Sequence, residues 1–270
     1  MELQEARERF EKQGIKLAAI SYDSPAILKD FAERHKIEYP LLADADSRII
    51  RAFDVLNAEA TGMTKGMAHP GFFYLDTEGV IREKFFETNY LDRFTPNNVM
   101  VKLFPELAEQ VSQKVEAPHL QLSLAQSDHD VVPGNRVSLI ADIQLPPDVH
   151  VYAPEVKDYK PIALAIQPSP EIALSTLTYP RSKVLYIEAI HEHVSVFDGK
   201  FRIIQEVTVS RSQDFIRSLG QGKSITVTGE LKYQACDQRI CYLPASVPLK
   251  WELQILPLDR QRSPEAIQHK

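Results

Sequence analysis

Near residue 113 the spacing of apolar residues changes character, and a chain with such a break folds as two differently built halves. Before the break, helical and strand patterns alternate. Leu3, Ala6 and Phe10 recur at helical spacing until Gly14 stops the run. Ile15–Tyr22 is nearly continuous apolar sequence, as in a strand covered on both faces. Ser24-Pro25 predicts the N-cap and first position of a helix running to about His35. Short strands follow at Pro40–Leu42 and Gly71–Asp76, with a helix between them around Ser47–Phe53. Val80–Phe86 folds back on Gly71–Asp76 as a hairpin, and a helix from about Thr95 to Ser112 closes this half. Such alternation predicts a three-layer α/β domain over residues 1–113.

Residues 114–118 lack periodicity and are predicted to form a linker. From His119 the pattern becomes short alternating strands: 120–125, 137–145, 162–167, 202–209, 224–234 and 246–256. Turn residues separate them, which predicts an antiparallel β-sandwich over residues 119–257, with a polar tail at 258–270.

Composition narrows the function. With 44% hydrophobic and 25% charged residues the sequence is that of a globular protein, and its net charge of −6 offers no basic footprint for nucleic acid. No apolar run reaches the roughly 18–20 residues of a membrane span. Charged residues crowd the first ten positions, so these do not form a secretory leader; a start within a helix predicts a chain that has lost its natural beginning.

Only two cysteines occur, Cys236 and Cys241, with four residues between them. Three chemistries fit. Zinc needs two further ligands, for which His191 and His193 are the candidates, although a strand His-x-His is usually incidental. A structural disulfide closing so small a loop constrains little, roughly 2 kcal/mol. An exchange-active pair needs accessibility and a tight loop, which this spacing between two strands supplies. Neither a metal nor a cofactor is expected. Tyr233, Tyr242 and Pro244 would wall the pair, while Asp237 and Arg239 would push its ionisation in opposite directions.

The strings Ile20-Ser-Tyr-Asp-Ser-Pro25, Tyr39-Pro-Leu-Leu-Ala-Asp44 and Ala68-His-Pro-Gly-Phe-Phe-Tyr-Leu-Asp76 resemble the AhpC/TSA redoxin family over about the first 110 residues. The resemblance implies a thioredoxin-like domain lacking its first strand, with Pro70, preceded by His69, as the family's cis-proline. In redoxins the reactive cysteine opens the first helix, yet no cysteine lies in residues 1–235. Peroxidase activity is therefore not expected of this chain as it stands; a peroxiredoxin-type antioxidant protein whose reactive cysteine is missing from it stands as a second alternative. A missing central strand would also expose apolar edges and predicts marginal stability or self-association for residues 1–113.

The string Tyr233-Gln-Ala-Cys-Asp-Gln-Arg-Ile-Cys-Tyr-Leu-Pro244 resembles the active-site segment of the N-terminal domain of thiol:disulfide interchange protein DsbD. The likeness extends over roughly residues 119–257, through His150-Val-Tyr152 and Val196-Phe-Asp-Gly-Lys200, and implies an immunoglobulin-like sandwich. Cys236 and Cys241 then become the redox centre, which exchanges electrons with partner proteins. Phe197, flanked by Asp198 and Gly199, becomes the cap over the pair, with Tyr233 and Tyr242 beside it. The family often places five residues between its cysteines, so this loop is tighter. The resemblance also implies a periplasmic setting. The competing function class is a non-catalytic binding module braced by a structural disulfide.

Overall fold

The computed structural model describes residues 2–87, 89, 91–105, 113–188, 191–219, 222–257 and 264–267. The chain divides into two compact units, Met1–Met100 with Leu258–Lys270, and Val101–Pro257.

In the first unit, α1 (Glu2–Lys12) buries Ala6 and Phe10, one turn apart on a single face. Gly14, at φ +75°, lets the chain leave the helix. Strand β1 (Ala19–Ser21) pairs in parallel with β2 (Leu41–Ala43). Between them runs α2 (Pro25–His35), with the predicted Ser24 cap accepting a hydrogen bond from the Ile27 amide and Lys36 closing the helix in the left-handed region. Asp44 accepts from the Ile49 and Ile50 amides and so caps α3 (Arg48–Ala52). Strands β3 (Gly71–Leu75) and β4 (Ile81–Phe86) form the predicted hairpin, and β5 (Arg93–Phe94) and α4 (Pro96–Leu103) follow. The remainder of the helix predicted to Ser112 lies, from residue 106 on, outside the described residues.

Two expectations for this half are corrected. Its first four strands do not join one sheet; they make two separate two-stranded sheets, β1–β2 and β3–β4. A parallel pair is stable when both faces are covered, and here Ile20 and Leu42 are 43% and 47% exposed. With strands of only three residues, the apolar run at 15–22 is mostly loop. The second correction concerns Pro70. No cis peptide bond occurs among the described residues, so His69–Pro70 is trans. The trans form is the default, which a fold must actively override. Here the His69 amide donates to the Val55 carbonyl and Pro70 simply leads into β3.

Among its described residues the second unit is β-sheet apart from the end of α4 and one short helix. Its first strand, β6 (Gln113–Val115), pairs with β7 (Gln121–Gln126), so the start of the predicted linker is strand. Then come β8 (Asp130–Val131), β9 (Asn135–Gln144), β10 (His150–Tyr152), β11 (Ala163–Ile166), β12 (Ile172–Thr178), β13 (Lys183–Ile187), β14 (Glu192–Asp198) and β15 (Lys200–Val209). After α5 (Gln213–Ser218) follow β16 (Lys223–Tyr233), β17 (Ala235–Cys236) and β18 (Ala245–Ile255). They assemble in the orders β12-β15-β9-β7-β6, β11-β16-β18-β8 and β13-β14-β10-β17.

The long strands alternate inward and outward, and the inward rows of β9, β15, β16 and β18 supply Leu139, Ile203, Leu231 and Leu253, each fully buried in one contiguous core. Two of the polar groups inside are paired across elements: the Trp251 indole donates to the Ala125 carbonyl, and buried Glu206 meets Lys102 and Arg136 at 2.8 and 3.1 Å. No helix among the described residues is long and apolar enough to cross a membrane. Most of the tail from 258 on lies outside the described residues, apart from a 3₁₀ turn at Glu265–Ile267.

Candidate functional site

The two cysteines sit where β17 ends. Cys236 and Cys241 oppose one another as an isolated antiparallel bridge, with Cα atoms 4.0 Å apart, and they form a disulfide. The turn between them has its own supports. Asp237 accepts from the Arg239 and Ile240 amides at 2.7 and 2.8 Å, and its amide donates to the Ile240 carbonyl. These backbone bonds, first that of Ile240, hold the Asp237 carboxyl below its ordinary range. Tyr242 then donates its hydroxyl to the same carboxylate and stacks on His119 at 3.8 Å between ring centres. The carboxylate predicted to oppose cysteine ionisation is thus engaged in holding the turn.

Exposure differs sharply across the bridge. Cys236 is 1% exposed, whereas Cys241 lies at the surface. Ile240 and Leu243 flank it at 57% and 89% exposure, an apolar rim around the exposed cysteine. On the buried side, Cys236 packs with Tyr152, Ile187, Val194 and Val196, and Val156 and Tyr159 lie against that cluster.

Register decides which neighbours face the disulfide. Directly opposed residues on adjacent strands share a face. Cys236 opposes His150 on β10, and His150 opposes Asp198 on β14, so Asp198, His150 and Cys236 form one row across three strands. Two residues along β10, Tyr152 continues that face, and its hydroxyl is 3.6 Å from Cys241 Sγ. Tyr152 stacks on Tyr159, whose hydroxyl donates to Glu192 at 2.7 Å. Burial, then the charge of Glu192, raises the Tyr152 hydroxyl above its ordinary pKa, and the bond to Glu192 pushes Tyr159 up to about 12. Both therefore remain neutral donors at physiological pH.

This register corrects the predicted cap. Phe197 opposes Val151, one residue out of step with the disulfide row, and points into the sandwich core, where it packs with Phe201 and lies parallel to Tyr179. Gly199, at φ +60°, makes the tight turn from β14 to β15. Of that segment only Asp198 shares the disulfide's face. Tyr233 is likewise core: it is buried, and its hydroxyl donates to the Pro118 carbonyl. Tyr242 does lie at the site, as a prop for the turn. His193 alternates to the opposite face of β14, against Tyr186, which removes it from the sulfurs; His191 sits at the hairpin end beside the Tyr186 hydroxyl. His69 and Pro70 belong to the other unit.

Three residues around the pair, His150 opposite Cys236 and Tyr152 and Tyr159 in the cluster about it, were missed as site residues. The available signal was His150-Val-Tyr152 itself, two polar rings two apart at a strand start. His150 is 3% exposed, and its Nε2 has no hydrogen-bond partner among the described residues.

Comparison with known proteins agrees with both resemblances drawn from the sequence. Residues 1–84 match the AhpC/TSA family, and residues 121–248 match the family described as thiol:disulfide interchange protein DsbD, N-terminal. Solved structures with similarity include the N-terminal periplasmic domain of ScsB from Proteus mirabilis, at 15% identity and TM-score 0.34 over 53% of this chain and 51% of that one. The reduced DsbD N-terminal domain of Neisseria meningitidis matches at 12% identity and TM-score 0.30, over 45% and 82%. A family 123 glycoside hydrolase from Clostridium perfringens matches at 10% identity and TM-score 0.28, over 49% and 23%. This chain thus spans about half the length of the ScsB domain. No curated protein sequence matches.

Proposed function

We propose that the chain is a thiol–disulfide exchange protein that passes electrons to or from partner proteins through Cys236 and Cys241. The observation that carries this is the asymmetry of the pair: Cys236 is buried in a cluster with Tyr152, while Cys241 is an exposed residue between Ile240 and Leu243. Exchange proceeds by thiolate attack in line with a disulfide, and the exposure of Cys241 supports the reading that it meets a partner's sulfur. In the reduced protein Cys241 attacks the partner disulfide, and the neutral Tyr152 hydroxyl, the donor nearest its sulfur, stabilises the thiolate. Cys236 then attacks Cys241 Sγ, re-forming the intramolecular bond and releasing the partner as a dithiol. The exposed Ile240 and Leu243 supply the contact surface.

Support also comes from the turn. Its hydrogen bonds through Asp237 hold residues 237–242 without help from the sulfurs, so a brace there would be redundant. For residues 1–84 we infer a thioredoxin-like scaffold, and the proposed thiol chemistry belongs to Cys236 and Cys241, since residues 1–235 hold no cysteine.

The test is a redox titration against glutathione with thiol trapping and mass spectrometry. An exchange-active pair shows a two-electron transition well above about −300 mV, and Cys236→Ser leaves a trapped mixed disulfide on Cys241. A pair that stays oxidised below about −300 mV identifies a binding module with a structural brace.

A further inference from the structure

The row Asp198–His150–Cys236 sets a carboxylate, an imidazole and a sulfur on successive strands of one sheet face. Opposed side chains in such a row stand roughly 4.5–5.5 Å apart at Cβ, within reach of an imidazole. His150 is almost wholly buried, yet its Nε2 has no hydrogen-bond partner among the described residues. A buried polar atom left in that condition calls for an explanation. The oxidation state provides one: a sulfur in a disulfide carries no proton to share, whereas the reduced Cys236 thiol brings an S–H donor to the strand position directly opposite.

We propose that His150 is the proton-handling residue of the exchange reaction, taking the Cys236 proton when Cys236 attacks and returning it when Cys236 is expelled. The inference rests on the exchange reading above and deepens it. In the resolving step the Cys236 thiol gives its proton to His150 and forms the Cys236–Cys241 bond. The bond between Cys241 and the partner sulfur breaks, and the partner leaves as a thiolate with that electron pair. The cysteine pair is thereby oxidised, the partner is reduced, and the imidazolium passes its proton to the departing thiolate. In the opposite direction a partner thiol gives its proton to His150 and attacks Cys241 as the thiolate, and Cys236 leaves and collects that proton from the imidazolium.

The charges facing His150 suit this task. Asp198 flanks it on β14, held by Lys183 of β13 at 2.5 Å, and Asp237 faces it from the turn beyond β17; on β10 itself the neighbouring ring is Tyr152. Burial lowers the imidazole pKa, while Asp198 and then Asp237 oppose that shift, so the ring is neutral at rest and its charged form is supported on both sides. A buried thiol with no such base would have to ionise in an apolar pocket, which raises its pKa. Asp198 acts through the imidazole and is a positioning residue.

The experiment forms the glutathione mixed disulfide on Cys241 of the reduced full chain with oxidised glutathione, then follows its resolution by acid quench and mass spectrometry across pH. In His150→Phe, which keeps the ring's bulk, resolution at pH 7 should slow by about a hundredfold or more, the low end of general-base contributions. Its pH profile should also lose the histidine inflection and rise only near the thiol range, about 8.5. Equal lifetimes and profiles in the two proteins would overturn the proposal. Should His150→Phe fail to fold, ring NMR titration of the unmodified chain decides: the His150 pKa should differ between oxidised and reduced protein, and an unchanged value refutes the assignment. A wild-type chain that forms no mixed disulfide at all would instead refute exchange itself, so the two failures are distinguishable.

Discussion

The two units use strands very differently. In Val101–Pro257 strands of ten or eleven residues run through β9, β15, β16 and β18, and every second side chain enters a shared core. In Met1–Met100 the four strands of the two small sheets have three to six residues and pair only two by two. Ile20, Leu42, Leu75 and Ile81 of those strands remain exposed. Burial scales with the number of strands that share a face, so the same kind of apolar residue contributes much to one unit and little to the other. Both cysteines lie in the sandwich, so the proposed exchange would draw on the unit with the larger shared core.

Mutation should expose this contrast most strongly in the core. Leu231→Ala removes a fully buried side chain and should cost about 2–5 kcal/mol in the sandwich. Ile20→Ala, at a half-exposed position in the first unit, should cost under about 1 kcal/mol. Denaturant unfolding of the full chain, followed by Trp251 fluorescence for the sandwich and by hydrogen exchange for the first unit, separates the two. Equal losses would mean that Ile20 is covered in solution and that the contrast is misjudged.

A smaller effect concerns that coverage. Exposed Ile20 and Leu42 lie on a two-stranded sheet with open edges, a surface suited to association between copies. Leu42→Glu should lower any concentration-dependent association in sedimentation velocity while shifting stability by under about 1 kcal/mol. If association persists unchanged, it runs through another surface.

How far the sequence disclosed each unit follows from the same difference. Long alternating strands carry their pattern in themselves, so 121–126, 135–144, 200–209, 223–233 and 245–255 lie within one or two residues of their predicted positions. The cap of α2 was equally legible, because Ser24 and Pro25 act locally. Whether the first unit's strands share a sheet depends on partners far along the chain, so their division into two separate pairs was not legible locally. At the site, Cys236 and Cys241 announce themselves by spacing. Phe197 and His150 do not, because which face each occupies is fixed by the pairing of β14, β10 and β17. A shift of one residue in that pairing would have made Phe197 a neighbour of the disulfide and turned Asp198 away.

Acid should produce the smallest effect, and its order in pH follows from the shifts. Burial lowers the His150 pKa in the folded sandwich, so protonation favours the unfolded chain. That contribution is complete above the ordinary histidine value, about 6.5, and is lost as pH falls from there toward the folded value. Asp237 is lowered by the Ile240 and Arg239 amides, so its contribution is complete above about 3.9 and is lost only as pH falls through the folded value beneath that. In the first unit burial pushes Asp44 up, but the Ile50, Ile49 and Arg48 amides outweigh it and hold the carboxyl low, which places its loss in the same acid range. The sandwich should therefore soften in two stages, and His150→Phe should remove the first while leaving the second. Unfolding midpoints measured from pH 8 to pH 3 test this. A single acid transition in the unmodified chain would show that His150 is not held neutral by burial, and the row beside Cys236 would lose its resting base.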